Sequence, residues 1–173
     1  MHYLQGFDCI VDVVRNDQID FETVTDYDKI VLSPGPGIPS EAEGMMRIIK
    51  EFIHTKPIFG VCLGFQALTE YFGGSLYNQN NVKHGISEYC TFDTKSRLFQ
   101  ELPERFKVGL YHSWAANESD FPSELKITAR SENNVIMAFE HLSLPVCGVQ
   151  FHPESILTEH GKDIVENFIL NFI

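Results

Sequence analysis

Residues 57–74 read PIFGVCLGFQALTEYFGG, and the order of residue types along them decides the fold. Pro57 to Val61 is a short apolar run opened by a proline, the pattern of a strand buried on both faces. A helical stretch follows at once and runs to Phe72, where Gly73 and Gly74 stop it. The junction holds Cys62 between Gly60 and Gly64, a G-x-C-x-G frame with the strand–turn–helix geometry of a nucleophile elbow. The two glycines are expected to permit the sharp turn. Such a turn sets the sulfur at a helix N-terminus, where backbone N–H groups and the helix dipole favour a thiolate, the form that attacks a carbonyl carbon. Two glycines at these offsets accompany a given cysteine by chance roughly once in 200, and one of four cysteines about once in 50, so the frame outweighs a merely structural cysteine.

On the N-terminal side of the elbow, residues 29–32 form another apolar strand, ending in the turn Ser33-Pro34-Gly35-Pro36-Gly37. A helix is expected from Ser40, since Ser40 and Glu43 fit a capping box and Met45, Ile48, Ile49, Phe52 and Ile53 recur at helical spacing. The second half is β-rich, with strands expected at 88–92, 106–110, 125–130, 135–140 and 146–151. A last helix runs from about Thr158, with Ile164, Val165, Phe168, Ile169 and Phe172 on one face. These elements sum to one α/β domain over residues 1–173, a mixed and mostly parallel sheet flanked by helices.

Composition narrows the function classes. A chain of 173 residues, 43% hydrophobic and 21% charged, has ordinary globular usage. The net charge of −11 and the lack of a basic stripe argue against nucleic acid. The longest uncharged stretch, 57–69, is too short and too polar to span a bilayer, so no membrane role is expected. Cys9, Cys62, Cys90 and Cys147 are widely spaced with no CxxC, and no signal peptide is visible; free thiols in a reducing cytoplasm are expected. Cysteine and histidine spacings fit no metal site, and neither metal nor cofactor is expected.

A thiolate nucleophile needs a base to take up and return a proton, and seven histidines are on offer. His152 stands out because it ends the apolar run VCGVQF and is followed by Pro153 and Glu154, so that an imidazole and a carboxylate meet at a strand end. A carboxylate there can hold the ring in one tautomer. On spacing alone His-x-Glu is weak; the elbow raises its standing.

With these segments in view a resemblance becomes specific. SPGPG (33–37), GVCLGFQ (60–66), YHSW (111–114) and GVQFHPES (148–155), in this order, resemble the class I glutamine amidotransferases over nearly the whole chain. VVRND (13–17), LSPGPGIPSEA (32–42) and HPESILTEHG (152–161) are similar to the glutaminase subunit of anthranilate synthase or of aminodeoxychorismate synthase. The resemblance implies that Cys62 attacks the side-chain amide of glutamine to form a glutamyl thioester. His152 would protonate the departing ammonia and then activate water, oriented by Glu154. It further implies oxyanion donors at the backbone N–H groups of Leu63 and Gly35, and glutamine contacts at Gly35, Gly37, Gln66, Ser113 and Trp114. His84-Gly85 would line the site without a catalytic role. The ammonia would pass to a chorismate-using synthase component I subunit, since a chain this short has no room for that second reaction.

Three departures from the family stand out. Phe65 occupies a position where these subunits often carry His, and Ile86-Ser87 a position where Lys and a small polar residue are common. Family members also begin with an apolar strand and a DNYDSF-like loop, whereas this chain starts inside the helix that follows, at HYLQGF. The expectation is an N-terminally short domain with an unpaired sheet position, open to self-association. Two rival readings remain: a Cys-His γ-glutamyl hydrolase of the same fold, and an assembly module made inactive by the missing strand.

Overall fold

The computed structural model describes residues 2–79 and 84–173. In chain order these form α1 (His2–Gln5), β1 (Ile30–Leu32), α2 (Glu43–Phe52), β2 (Ile58–Val61), α3 (Leu63–Tyr71), β3 (Leu76–Asn78), β4 (Ile86–Phe92), β5 (Arg105–Leu110), β6 (Trp114–Ala116), β7 (Leu125–Ser131), β8 (Ile136–His141), β9 (Val146–Val149) and α4 (Gly161–Asn171). Seven strands make one sheet in the order β1-β2-β9-β8-β7-β4-β5. It is the expected mixed sheet between helices.

The balance of the sheet differs from the mostly parallel one expected. Only β1-β2 and β2-β9 run parallel; β9-β8, β8-β7, β7-β4 and β4-β5 are antiparallel. Parallel neighbours need a long crossover such as a helix, and only β1, β2 and β9 are reached that way; β7-β8 and β8-β9 are joined by short turns. Alternation along the buried strands divides the core. Phe59, Val61, Cys147 and Val149 face α4 with Ile164, Phe168 and Phe172, joined by Tyr3 and Leu4 of α1. Ile58 and Val146 face α2 and α3 on the other side.

Element ends depart from expectation where distant contacts act. Ser40 falls in a 3-10 turn, Pro39–Glu41, and does not cap α2. The α2 N-terminus is satisfied from afar instead, Met45 N–H donating to Asn16 Oδ1 at 2.6 Å. The last strand stops at Val149, two residues early, because Gln150 N–H donates to Met137 of β8 while His152 N–H donates to Gly109 of β5. The last helix begins at Gly161 because His160 takes a left-handed conformation, φ 57°. The two-stranded ribbon β3-β6 was not anticipated.

β1 is the outer strand, with Val31 at 38% exposure and Ile10, Val13 and Val14 more exposed still. A groove of about 220 Å³ runs beside it, lined by Val14, Ile19, Val24, Ile30 and Met45. Among the described residues β1 and β5 are the two edges of the seven-stranded sheet.

Candidate active site at the β2–α3 turn

Cys62 caps α3 at the end of β2 with φ 51° and ψ −98°, a conformation few non-glycine residues adopt. Its neighbours Gly60 and Gly64 do not supply the turn angle, as the sequence suggested; they supply proximity. A Cβ on Gly60 would lie 2.5 Å from the Gly64 carbonyl, and one on Gly64 would lie 2.4 Å from the Leu32 carbonyl oxygen. The first turn of α3 therefore presses on both β2 and β1. Gly64→Ala is expected to destabilise the fold by about 2–3 kcal/mol, read as a lower urea midpoint at unchanged slope. An unchanged midpoint would show that helix and strand separate freely.

Cys62 N–H donates to Val149 O at 2.9 Å, which ties the elbow to β9. Past β9 the chain delivers His152, whose Nδ1 lies 2.7 Å from Glu154 Oε1. The loop after it is pinned flat on β5. Gly109 N–H donates to Thr158 Oγ1 at 2.9 Å, Thr158 Oγ1 donates to His152 O at 2.6 Å, and Ser155 Oγ pairs with Tyr111 Oη at 3.0 Å. Tyr111 packs edge-on to His152, and His84 edge-on to Tyr111.

The electrostatics of the pair favour a proton on His152. Burial works to lower the His152 pKa, but hydrogen bonding to Cys62 and Glu154, and their charges, outweigh it and raise the pKa to about 9. Burial raises the Glu154 pKa, yet the bond to His152 and the ring's charge bring it below the ordinary carboxylate value. His152 Nε2 is buried without a partner at regular bonding geometry, so Cys62 is near enough to act on the ring without a fully aligned bond. Such bonds commonly tighten only when substrate arrives.

The remaining sequence candidates lie on α3 or on the segments that follow β1 and enter β6. Leu63 is the first residue of α3, where backbone N–H groups have no partner inside the helix, and Gly35 packs so closely on it that a Cβ would meet Leu63 Cδ2 at 3.0 Å. Gly37 turns with φ 79° above Glu41. Gln66 is only 4% exposed, which excludes a solvated helix residue. Its Nε2 donates to Trp114 O at 3.1 Å and to Gln150 Oε1 at 3.2 Å, so its amide nitrogen is already engaged inside the protein. Ser113 O accepts from Gln79 N–H at 2.7 Å and Trp114 O also faces His112 Nδ1 at 2.8 Å, so both carbonyls are in use. Phe65, the departure beside the elbow, is fully buried and stacks near Phe139 at 5.0 Å, pointing away from the sulfur into the α3 side of the core.

Gln150 was missed by sequence reasoning. It is fully buried with Nε2 3.7 Å from Cys62 Sγ. A lone amide inside VCGVQF was the available signal. Cys9, Cys62 and Cys147 carry free thiols, and among the described residues no group of three acidic, His or Cys side chains is placed to hold a metal. Among them, too, no helix is long and apolar enough to cross a membrane.

Comparisons with known proteins place the chain in a family. The model of the family described as glutamine amidotransferase class-I matches residues 1–172. A Haemophilus influenzae protein provisionally named anthranilate synthase component II is 43% identical over 158 residues, covering 91% of this chain and 82% of that one. Anthranilate synthase component II of Haloarcula marismortui is 42% identical over 172 residues, 97% of this chain and 88% of its own. A solved Thermoplasma acidophilum structure, provisionally described as one of the subunits of GMP synthase, superposes with a TM-score of 0.87 at 27% identity, covering 97% of this chain and 83% of that one.

Proposed function

Because the chain belongs to the class I glutamine amidotransferases, we propose that it is a glutaminase subunit supplying ammonia to a chorismate-using synthase, with Cys62, His152 and Glu154 as its catalytic triad. The observation that carries this reading is the 2.7 Å bond between His152 and Glu154, set just past the strand end to which the Cys62 N–H is bonded. In the first half-reaction the Cys62 thiolate, its proton already held by His152, adds to the glutamine amide carbon, and His152 gives that proton to the departing ammonia. In the second, His152 takes a proton from water, which attacks the thioester and releases glutamate and the thiolate. Leu63 and Gly35 N–H groups face the tetrahedral oxygen; losing one such donor costs on the order of 100- to 1000-fold. Ile156, 97% exposed beside His152 and Glu154, supports a partner covering the mouth of the site.

The test is labelling of Cys62 by a glutamine-analogue diazoketone, with and without the synthase subunit, beside parallel assays on glutamine and a γ-glutamyl peptide. Labelling of Cys62 and turnover of glutamine alone are expected. Peptide turnover in place of glutamine would favour the γ-glutamyl hydrolase. No label in either condition would favour the inactive module. Self-association through the β1 edge completes the proposal, and light scattering should then read a dimer that Val31→Lys dissolves.

A pH profile tests the base. With its pKa raised to about 9, His152 stays protonated up to that pH and can serve as the acid of the first half-reaction. Glutamine turnover is expected to fall on the alkaline side near pH 9 and not near the ordinary histidine value. Glu154→Gln removes the charge that favours imidazolium, so this limb should move down by about one unit. A limb that stays in place would remove Glu154 from the triad.

A further inference from the structure

We infer that Gln150 is the thiolate-stabilising donor of this site, its amide locked in the donating orientation by a relay that starts at the Trp114 carbonyl. The inference rests on Cys62 being the nucleophile. It adds a residue to that reading and a reason for its orientation.

The relay has a fixed direction. A backbone carbonyl can only accept, so the Gln66 group 3.1 Å from Trp114 O must be its NH2. That same Nε2 lies 3.2 Å from the Gln150 amide, so the Gln150 atom facing it must be the acceptor Oε1. The other end of the Gln150 amide is then Nε2, and it faces Cys62 Sγ at 3.7 Å, within reach of an N–H···S bond. An amide flipped at either glutamine would set two acceptors or two donors face to face inside the core, with Gln150 fully buried and Gln66 4% exposed. The polarity read from Trp114 is thus carried, through three residues, to the sulfur.

The chemistry follows from that polarity. When the Cys62 proton leaves for His152 Nε2, the electron pair stays on a buried sulfur with little water to solvate it. The Gln150 N–H supplies the missing donor and favours the charged form, and it does so again when the thioester collapses and thiolate departs. The donor is neutral, so it adds no competing ionisation beside His152. The relay also links the nucleophile to the Ser113-Trp114 strand end that the resemblance assigns to glutamine.

Gln150→Met keeps the volume and removes the donor; Gln66→Met leaves Gln150 in place but frees its orientation. The measurement is the rate at which iodoacetamide labels Cys62, followed on its peptide by mass spectrometry, with circular dichroism to check folding. For Gln150→Met, labelling near pH 7 is expected to slow about five- to tenfold, and near pH 9.5 to match the wild type, because a free thiol ionises there without help. Gln66→Met should show the same pattern at roughly twofold. Equal labelling of wild type and Gln150→Met at both pH values overturns the inference. A slowing by one factor at both pH values also overturns it, since that would report access to the sulfur and not ionisation. If Gln150→Met fails to fold, Gln66→Met decides alone: unchanged labelling overturns the relay. Wild-type Cys62 that resists labelling altogether would fail the nucleophile reading itself, which is a separate result.

Discussion

Replacing Cys62 by glycine is expected to lower glutamine hydrolysis by about 10⁴-fold or more, while leaving the fold as stable as before or up to about 1 kcal/mol more stable. Loss of rate follows from loss of the nucleophile. The absence of a stability loss is the informative half. At φ 51° and ψ −98° the Cys62 backbone lies where a Cβ is crowded, and such a residue stores on the order of 1–3 kcal/mol of strain. Glycine relieves it. Against this stand the lost contacts of a side chain 8% exposed in the α4-side core, and glycine's greater freedom when unfolded, about 0.5–1 kcal/mol. The terms nearly cancel, with strain the larger. Cys62→Ser keeps the strain and should keep the wild-type stability, with the activity gone. Ammonia release and urea unfolding, measured on all three proteins, check the pair of effects. A glycine variant destabilised by more than about 1 kcal/mol would mean that the elbow carries no strain to release.

The parts of this fold that were legible in the sequence are those decided locally. The strand, elbow, helix and glycine stop of residues 57–74 are each set by neighbours a few positions away, and β2 and α3 fall within a residue or two of expectation. Pairing is another matter. Cys90 stands opposite Ser131 and Ile58 opposite Val146, partners dozens of residues apart that no local pattern names, so the β4-β7 and β2-β9 neighbours were not readable. The α2 start was misplaced for the same reason, because the acceptor that satisfies it is Asn16 and not Ser40. At the site, the chemistry-bearing residues Cys62, His152 and Glu154 were named by motif. The residues that aim them were not, since Gln150, Thr158 and Gly109 act through contacts that exist only after folding.

Gly161 is the strongest case of such a residue, and Gly161→Ala is expected to lower the turnover rate about 100-fold while destabilising the fold by about 2–3 kcal/mol. Gly161 opens α4, and its backbone is not in the left-handed region, so alanine is conformationally welcome there. In an open helix position the change would stabilise by up to about 1 kcal/mol. Contact reverses the sign. A Cβ at Gly161 would lie 1.9 Å from the Pro153 carbonyl oxygen and 2.9 Å from its carbon, both backbone atoms with no rotamer to yield. Either α4 moves, and with it the buried Ile164 and Phe168, or Pro153 moves. The helix is anchored through the core and the loop only by its pins to β5, so the loop gives way. Pro153 is the link between His152 and Glu154, whose 2.7 Å bond depends on its position, and a shift of about 1 Å there suffices for a loss of this size. The same displacement should carry the alkaline limb of the pH profile downward, as Glu154→Gln does, although both triad partners remain in the chain. Turnover within about threefold of wild type, with the limb unmoved, would show that the base is held by the β5 pins alone and not by the start of α4.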